Sequence, residues 1–518
     1  MYAALLARKY LTTKVIPLLA AFAVTLCVAT ELIVWSVMGG FLANLVDEGR
    51  RMDGDLRITW EHVGFAHYAD LVHRLEADPA VAAATPLIET LGLIGLPNDR
   101  RLSVQLLGIE PASYAEATIY ADSLYWRPQT EPNRLDEDRE DPRLREDNHD
   151  ILAGWLADGA RLDEFDPDTG ATKAAIVMGI ASAGWNQRQP GNWYLPRYNE
   201  RLLADGGVRP APQYLPRTSV AVTVLPLGRG GNADELDLRT LEFPVANELY
   251  TGNYAVDARQ AFVPLSVLQD MLQMGPAKRV APGQSPFAVQ VDDEGRESFG
   301  LPEIAGEAPA RVTDVLVRAA PGVSPVDLEA VCLRVYEDFE ADHPGDVPIP
   351  QYIGLNTFEE RNAGFIAAVQ KETTLVLFIF GVVSLTSVFL VLAIFWAMVS
   401  EKTRDIGILR AIGASRTGVA AVWVGYGLAI GIVGSALGSA LAAIVVSNIN
   451  PIHEWLGAAL GVQIWDPNVY YFTTIPTDLD AFKFAVIAAS GVVASVLGAL
   501  VPAARAALMD PVKALRFD

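Results

Sequence analysis

Cysteine is nearly absent from this chain, with only Cys27 and Cys332 in 518 residues. Cys27 falls in a long apolar run and Cys332 in a polar region, so no disulfide framework is expected. The six histidines show no metal-ligand spacing; His62, His67 and His73 share a neighbourhood but no ligand pattern. One faint cation motif, Asp166-x-Asp168-x-Gly170, lacks its later carboxylates and has Val177 where a closing Glu is needed, so it reads as a turn. No GxxxxGK[ST] phosphate loop and no nucleophile elbow occur. Basic residues are outnumbered 40 to 62, for a net charge of −22, which argues against a nucleic-acid partner. The expectation is a non-catalytic protein without cofactor or metal.

Apolar residues, by contrast, make up 51% of the chain and the mean hydropathy is +0.24. Such values and so large a charge conflict unless they occupy different parts of the sequence. Four runs, at 15–46, 373–399, 418–447 and 482–504, reach the roughly 20 residues that a bilayer crossing needs. The first is too long for a signal-peptide core and lacks a small-residue cleavage site, so it reads as an uncleaved anchor. At 1.5 Å per residue it would be about 48 Å long, more than the hydrocarbon thickness, so its far end is expected to project as a stalk.

Charge gives the orientation. Segments 1–14, 400–417 and 505–518 hold ten basic residues against four acids, while 448–481 holds four acids and no Lys or Arg. Short basic loops stay in the cytoplasm. Both termini and 400–417 are therefore expected inside, and 47–372 and 448–481 outside. The fold class expected is an α-helical membrane protein with four transmembrane helices, one before and three after a large α+β extracytoplasmic domain.

That domain opens on the strand-like DLRITW (55–60) and a helical FAHYADLVHRLEAD (65–78). Apolar runs at 87–96, 102–109, 174–179, 218–226, 241–246, 261–265 and 313–318 read as strands, and 266–274 and 325–341 as helices. An acidic insertion near 125–150, with nine acids and four bases between 131 and 150, is expected to be solvated. The Pro/Gly/Asn-rich 185–217 reads as a surface excursion. The opening MYAALLARKYLT suggests an amphipathic helix on the inner membrane face.

The loop EKTRDIGILRAIGAS (401–415) carries the strongest functional signal. Glu401 and Asp405 precede an apolar cluster that includes Ile408 and Leu409; Lys402 and Arg404 flank it, and Arg410 follows. Acids near a helix start and a base near its end suit the macrodipole, and Gly413 supplies a stop. A short capped helix there could dock on a cytoplasmic protein, or be a tight basic turn and no more. In the third run Gly427, Gly431, Gly434 and Gly438 form two small-xxx-small pairs, which allow close helix packing. Glu31 lies mid-way through the first run, where an ionised carboxylate costs at least ~2.5 kcal/mol. It either lines a cavity or meets a polar partner across a dimer, or it bonds to Ser384, Thr386 or Ser387 of the second run.

EKTRDIGILRAIGAS resembles the signature of the FtsX-like permeases, four-span ABC permeases of the mechanotransmission type. GALVPAARAALMDPVKALRFD (498–518) is similar to the ending of that family. Within it the likeness is to lipoprotein-releasing (Lol) permeases: SVMGGF (36–41), with Gly39 where a polar residue is expected, FPVANELYTGNYAVDARQAFVPLSVLQDML (243–272), NTFEERNAGFIAAVQKE (356–372) and VYYFTTIPTDLD (469–480). The likeness lapses in the acidic insertion and around 185–217.

The resemblance implies a bacterial inner-membrane, multi-pass permease paired with a second copy or a paralogue. It implies a separate ABC ATPase seated on the 401–415 helix and a lipoprotein or other amphiphile drawn from the membrane lipid. Glu31, Val37, Met38 and Phe41 would lie along the substrate path. A different role on the same architecture is signal transmission to a periplasmic partner, such as a peptidoglycan hydrolase, with nothing transported.

Overall fold

The computed structural model describes residues 15–61, 64–129, 141–166, 170–189, 193–202, 208–226, 238–280, 289–291, 297–299, 304–461, 465 and 474–515. The expected N-terminal amphipathic helix, the most acidic stretch at 131–140, His62, Asp168 and most of 462–473 lie outside those residues. The chain divides into two compact units: Met1–Leu45 with Gly364–Trp465 and Ile475–Asp518, and Val46–Ala363 with Asp466–Thr474.

Among the described residues, four helices are long and apolar enough to cross a membrane: Val15–Asp53, Ala363–Glu401, Arg416–Ser447 and Ala481–Ala507, called here the first to fourth spans. An α-helix bonds its own main-chain polar groups, which an apolar medium requires. The first and second helices run 39 residues each, about 58 Å. Each outruns its expected apolar core, the helix running on through flanking polar residues and through Gly49 in the first and Gly364 in the second.

The second unit is built on a nine-stranded mixed sheet. In chain order its strands are β1 (Leu56–Thr59), β2 (Val81–Gly95), β3 (Arg101–Ile109), β4 (Ile176–Gly179), β5 (Ser219–Val224), β6 (Arg239–Leu249), β7 (Gln260–Pro264), β8 (Asp314–Ala319) and β9 (Gly354–Thr357). They lie in the order β5-β6-β4-β7-β3-β2-β8-β1-β9, with β6–β4 and β7–β3 parallel and the other pairs antiparallel. β5 also pairs with the far end of β2, Thr223 opposite Leu93, so six strands close into a ring.

Adjacent residues of one strand point to opposite faces, and both faces here are covered. Leu106, Met178, Val263 and Val317 enter one apolar cluster. Their neighbours Leu107, Val177, Phe262 and Leu316 enter another. That is why these strands read as unbroken apolar runs rather than alternating ones. Helices Tyr68–Glu76 and Pro325–Asp342 cover the first face through Leu71, Leu75, Leu328, Cys332, Tyr336 and Phe339. Tyr114 of helix Pro111–Ala117 and Tyr120 fill the second face.

Two expected surface segments are partly packed. In the acidic insertion Asp141 and Arg143 are buried as an ion pair of 2.7 Å, and the Arg143 guanidinium lies 4.1 Å over the Tyr125 ring. Helix His149–Arg161 then buries Leu152 and Trp155. In 185–217, Trp185, Trp193, Tyr194 and Leu215 are buried, and Asn186–Gln189 pairs with Trp193–Pro196. Local charge and Pro/Gly content marked these as solvated; their aromatic residues anchor them instead.

Candidate functional site

The candidate coupling element is a helix, Thr403–Ala411, between the second and third spans. Lys402 Nζ lies 3.1 Å from Asp405 Oδ2. At the other end Ala414 N donates to Leu409 O and Gly413 N to Arg410 O, with Gly413 at φ +105°. That left-handed residue closes the helix where a side chain would be strained. Arg410 Nη1 then donates to Ala414 O at 3.3 Å, and Ser415 Oγ accepts from Gly418 N to start the third span.

One side of this helix, Ile406 and Gly407, is buried, and the helix packs on the short terminal helix Pro511–Leu515. The other side presents Ile408 and Leu409, each 43% exposed, and Ile412, 81% exposed. Exposed Glu401, Arg404 and Asp405 rim them. Full burial of each apolar side chain is worth about 1.5–3 kcal/mol.

The third-span glycines serve two neighbours. A Cβ on Gly427 would lie 2.6 Å from Ala499 Cβ, and one on Gly431 would lie 3.0 Å from Ser495 Cβ, both in the fourth span. A Cβ on Gly434 would lie 2.8 Å from Val24 Cβ, and one on Gly438 would lie 2.8 Å from Thr25 O, both in the first span. The Thr25 hydroxyl lies 3.2 Å from Gly434 O. Hence the two small-xxx-small pairs face different helices, and the third span is wedged between the first and fourth.

Glu31 meets the second span: Ser384 Oγ donates to its Oε2 at 3.2 Å, and Cys27 Sγ lies 3.6 Å from the same hydroxyl. Thr386 bonds its own helix at Val383 O. Of the three expected partners, Ser384 is the one the structure brings to Glu31.

SVMGGF packs against the approach to the fourth span. Ser36 Oγ donates to Asp478 O at 2.6 Å, and Asp478 N donates back to Ser36 O at 2.9 Å. A Cβ on Gly40 would lie 2.6 Å from the Thr477 main chain, so only glycine admits this crossing. Gly39 faces the Lys483–Asp478 ion pair of 2.5 Å. Phe41 is buried and meets the Trp465 ring edge-on at 6.3 Å, while Val37 and Met38 are half-buried.

One cluster had no counterpart in the sequence reading. In the second unit Arg57, with a side chain only 7% exposed, pairs with Asp53, with Glu89 at 2.5 Å and with Asp314 at 3.9 Å. Arg361 Nη2 reaches Asp53 Oδ2 at 2.6 Å. Thr59 and Thr313 hydroxyls, each at 2.7 Å, hold the two Asp314 oxygens, and Gln105 bonds Glu89.

Burial opposes the Arg57 charge, but Asp53, Asp314 and Glu89 outweigh it and hold its pKa above the ordinary value. For Glu89 burial is likewise the largest influence, yet Arg57 and Gln105 pull its pKa below the usual range. Asp314 goes the other way, raised by a burial that Arg57 does not offset. The difference follows geometry, since Arg57 touches Glu89 and stands farther from Asp314. Asp53 ends the first long helix, and Arg361 lies two residues before the second begins. The knot therefore joins the chain's exit from one span to its entry into the next. A charged Arg57 between buried Leu56 and Ile58 was the signal available in the sequence.

Among the described residues no group of three or more His, Cys, Asp or Glu is placed to hold a metal ion. His67 stacks on His343 with centroids 4.2 Å apart, and both cysteines are free.

These features define a class: a chain with four apolar helices, a mixed α/β region between the first two, and a short capped helix between the second and third. Residues 377–511 match the family described as FtsX-like permease C-terminal. The chain is 28% identical over 185 residues to the lipoprotein-releasing system transmembrane protein LolC of Xylella fastidiosa, covering 35% of this chain and 45% of that protein. Against LolC of Neisseria meningitidis serogroup B it is 27% identical over 157 residues, 30% of this chain and 38% of that one. Against LolE of Haemophilus influenzae it is 26% identical over 117 residues, 23% and 28% of the two. The chain thus resembles FtsX-like permeases and, among them, lipoprotein-releasing permeases, and it matches less than half the length of these relatives.

Proposed function

We propose that this chain is the permease subunit of an ABC transporter of the mechanotransmission type, a non-catalytic component set in the bacterial inner membrane with both termini cytoplasmic. A separate ABC ATPase binds the Thr403–Ala411 helix, and a second permease copy or a paralogue completes the assembly. The cargo is a lipoprotein or another amphiphile taken from the outer leaflet. ATP is bound by the partner, and this chain needs no cofactor.

The observation that carries the reading is the exposed apolar face of Ile408, Leu409 and Ile412 on a helix seated from behind by Ile406. This helix leads directly into the third span, whose glycines touch the first and fourth spans main chain to side chain with no slack. A push on the helix would therefore reach several spans, since close-packed interiors transmit displacement.

The test is purification in mild detergent from the native cell, with bound proteins identified by mass spectrometry. An ABC ATPase with acylated proteins supports the reading. An ATPase with an envelope hydrolase and no lipidated protein supports signal transmission instead. The double variant I408D/L409D should remain in the membrane and lose the ATPase; retention of an ATPase whose activity still responds to substrate would remove this helix as the docking element.

A further inference from the structure

The loop between the third and fourth spans contains a helix, Ile449–Leu460, that is separated from the end of the third span by Asn448 alone and is closed by left-handed Gly461. Its side chains separate by face. Asn450, His453, Glu454 and Gly457 recur at helical spacing on one side, and Ile452, Trp455, Leu456 and Ala459 on the other. The polar side is tied down. Asn450 Nδ2 donates to Ile475 O at 3.2 Å and its Oδ1 accepts from Ile475 N at 2.8 Å. His453 Nε2 accepts from Trp465 N at 3.0 Å. The apolar side is left open: Trp455 is 69% exposed, and Ile452 is exposed beside it.

We propose that this apolar face lies in the headgroup–acyl boundary of the bilayer, with Trp455 as its anchor. In the orientation proposed above, that is the outer leaflet. Three observations choose lipid over another protein as the occupant. The helix directly follows the third span, whose own exposed Leu437, Leu441 and Ile444 lead up to it, so its apolar face extends an exposed apolar surface of that span. Its largest exposed side chain is a tryptophan, whose apolar body and polar N–H suit that boundary. The region 448–481 has no Lys or Arg, so attachment rests on apolar burial and does not call for anionic headgroups. The returning chain crosses Ser36 and Gly40 through Thr477 and Asp478, so the lipid-anchored loop also bears on the first span.

The inference rests on the reading of these helices as membrane spans and on nothing about cargo. Its test uses the full chain in nanodiscs of phosphatidylcholine, with and without lipid dibrominated near the headgroup. The difference in tryptophan emission between wild type and W455F isolates the residue. Loss of that difference emission to brominated lipid, with shielding from aqueous iodide, is the expected result. Quenching by iodide and not by lipid would place the helix in water, and protection from both would place it under a protein partner; either overturns the proposal. A requirement for anionic lipid would overturn it as well. A second reporter, I452W in the W455F background, sits on the same face and should respond as Trp455 does. Emission from Trp35, Trp396 and Trp423 within the spans reports insertion separately, so a failure of the membrane reading is distinguishable.

Discussion

Replacing Arg57 with Met tests the buried charge knot. The side chain keeps its apolar length but leaves Asp53, Glu89 and Asp314 without the cation they share, Arg361 still holding Asp53. Removing one partner of a buried ion pair costs about 3–5 kcal/mol, because the remaining charge stays buried. At roughly 2–4 °C per kcal/mol for a large domain, the second unit should melt roughly 6–20 °C lower at pH 7.

The pH dependence separates this from simple loss of packing. In the wild type Glu89 has a depressed folded pKa, so its contribution is present at neutral pH and lost as pH falls through that value. In R57M the orphaned carboxyls would have raised folded pKa values, so the variant would lose stability as pH climbs from about 4 towards neutrality. The gap between the two proteins should therefore be wide at pH 7 and narrow near pH 4.5. Thermal unfolding of the purified full chain in detergent, across that range, reads it directly. A destabilisation of the same size at both pH values would refute the electrostatic account, and an unchanged melting temperature would show that the knot adds nothing. R57M/E89Q/D314N should recover most of the loss.

Substituting Gly434 with Leu should separate the first and third spans, lowering detergent thermostability by at least about 1–3 kcal/mol as overpacking; G425L, at a position open on all sides, should be near neutral. E31Q keeps an acceptor for Ser384 Oγ and is expected to leave assembly and transport unchanged; a transport loss with normal assembly would give Glu31 a role in the path. Glu248, fully buried, has its pKa pushed up to about 7 by burial despite hydrogen bonds from Trp126 Nε1 at 2.7 Å and Asn186 Nδ2 at 2.8 Å. A raised folded pKa means stability is lost as pH rises through it. E248Q should therefore flatten the pH 5–8 slope of the melting temperature, and an unaltered slope would place the titration elsewhere.

Most strands of the nine-stranded sheet were legible, while Gly354–Thr357 and the small two-stranded pairs of the same unit were not. Apolar runs at 87–96, 102–109 and 313–318 fall on β2, β3 and β8, and those at 218–226 and 261–265 on β5 and β7. Both faces of the sheet are covered, so each strand appears as one apolar block bounded by polar turns. The order of those strands was not legible. β4 sits between β6 and β7 because Ile176 pairs with Val245 and Val177 with Phe262, partners about 70 to 85 residues away that leave no local mark. Likewise the helix at 401–415 could be seen from its caps, but which of its apolar residues face inward could not. Ile406 and Ile408 differ only in what lies beside them once Pro511–Leu515 has folded back.

Charge misled wherever its partner was distant or its surroundings aromatic. Arg57 stands in a strand, Asp53 at a helix end and Asp314 some 260 residues on, so their separate positions give no hint of a shared buried site. The acidic insertion shows the same failure at short range. Counting acids between 131 and 150 implies solvent, yet Asp141 takes a bidentate contact from Arg143, whose guanidinium then stacks on Tyr125. An ion pair that satisfies its own hydrogen bonds and covers an aromatic face can be buried at modest cost. For the glycines the reverse holds. Gly427, Gly431, Gly434 and Gly438 announced close packing by spacing alone, but their division between two helices depends on angle. Seven residues advance an α-helix by about two turns less 20°, so Gly427 and Gly434 nearly share a face. One touches the fourth span and the other the first, although the fourth span still meets the third beside Gly434, where a Cβ on Gly491 would lie 2.7 Å from Ser435 Oγ. Spacing can therefore reveal that a helix is approached closely, while the identity of each neighbour is set by crossing geometry that spacing does not encode.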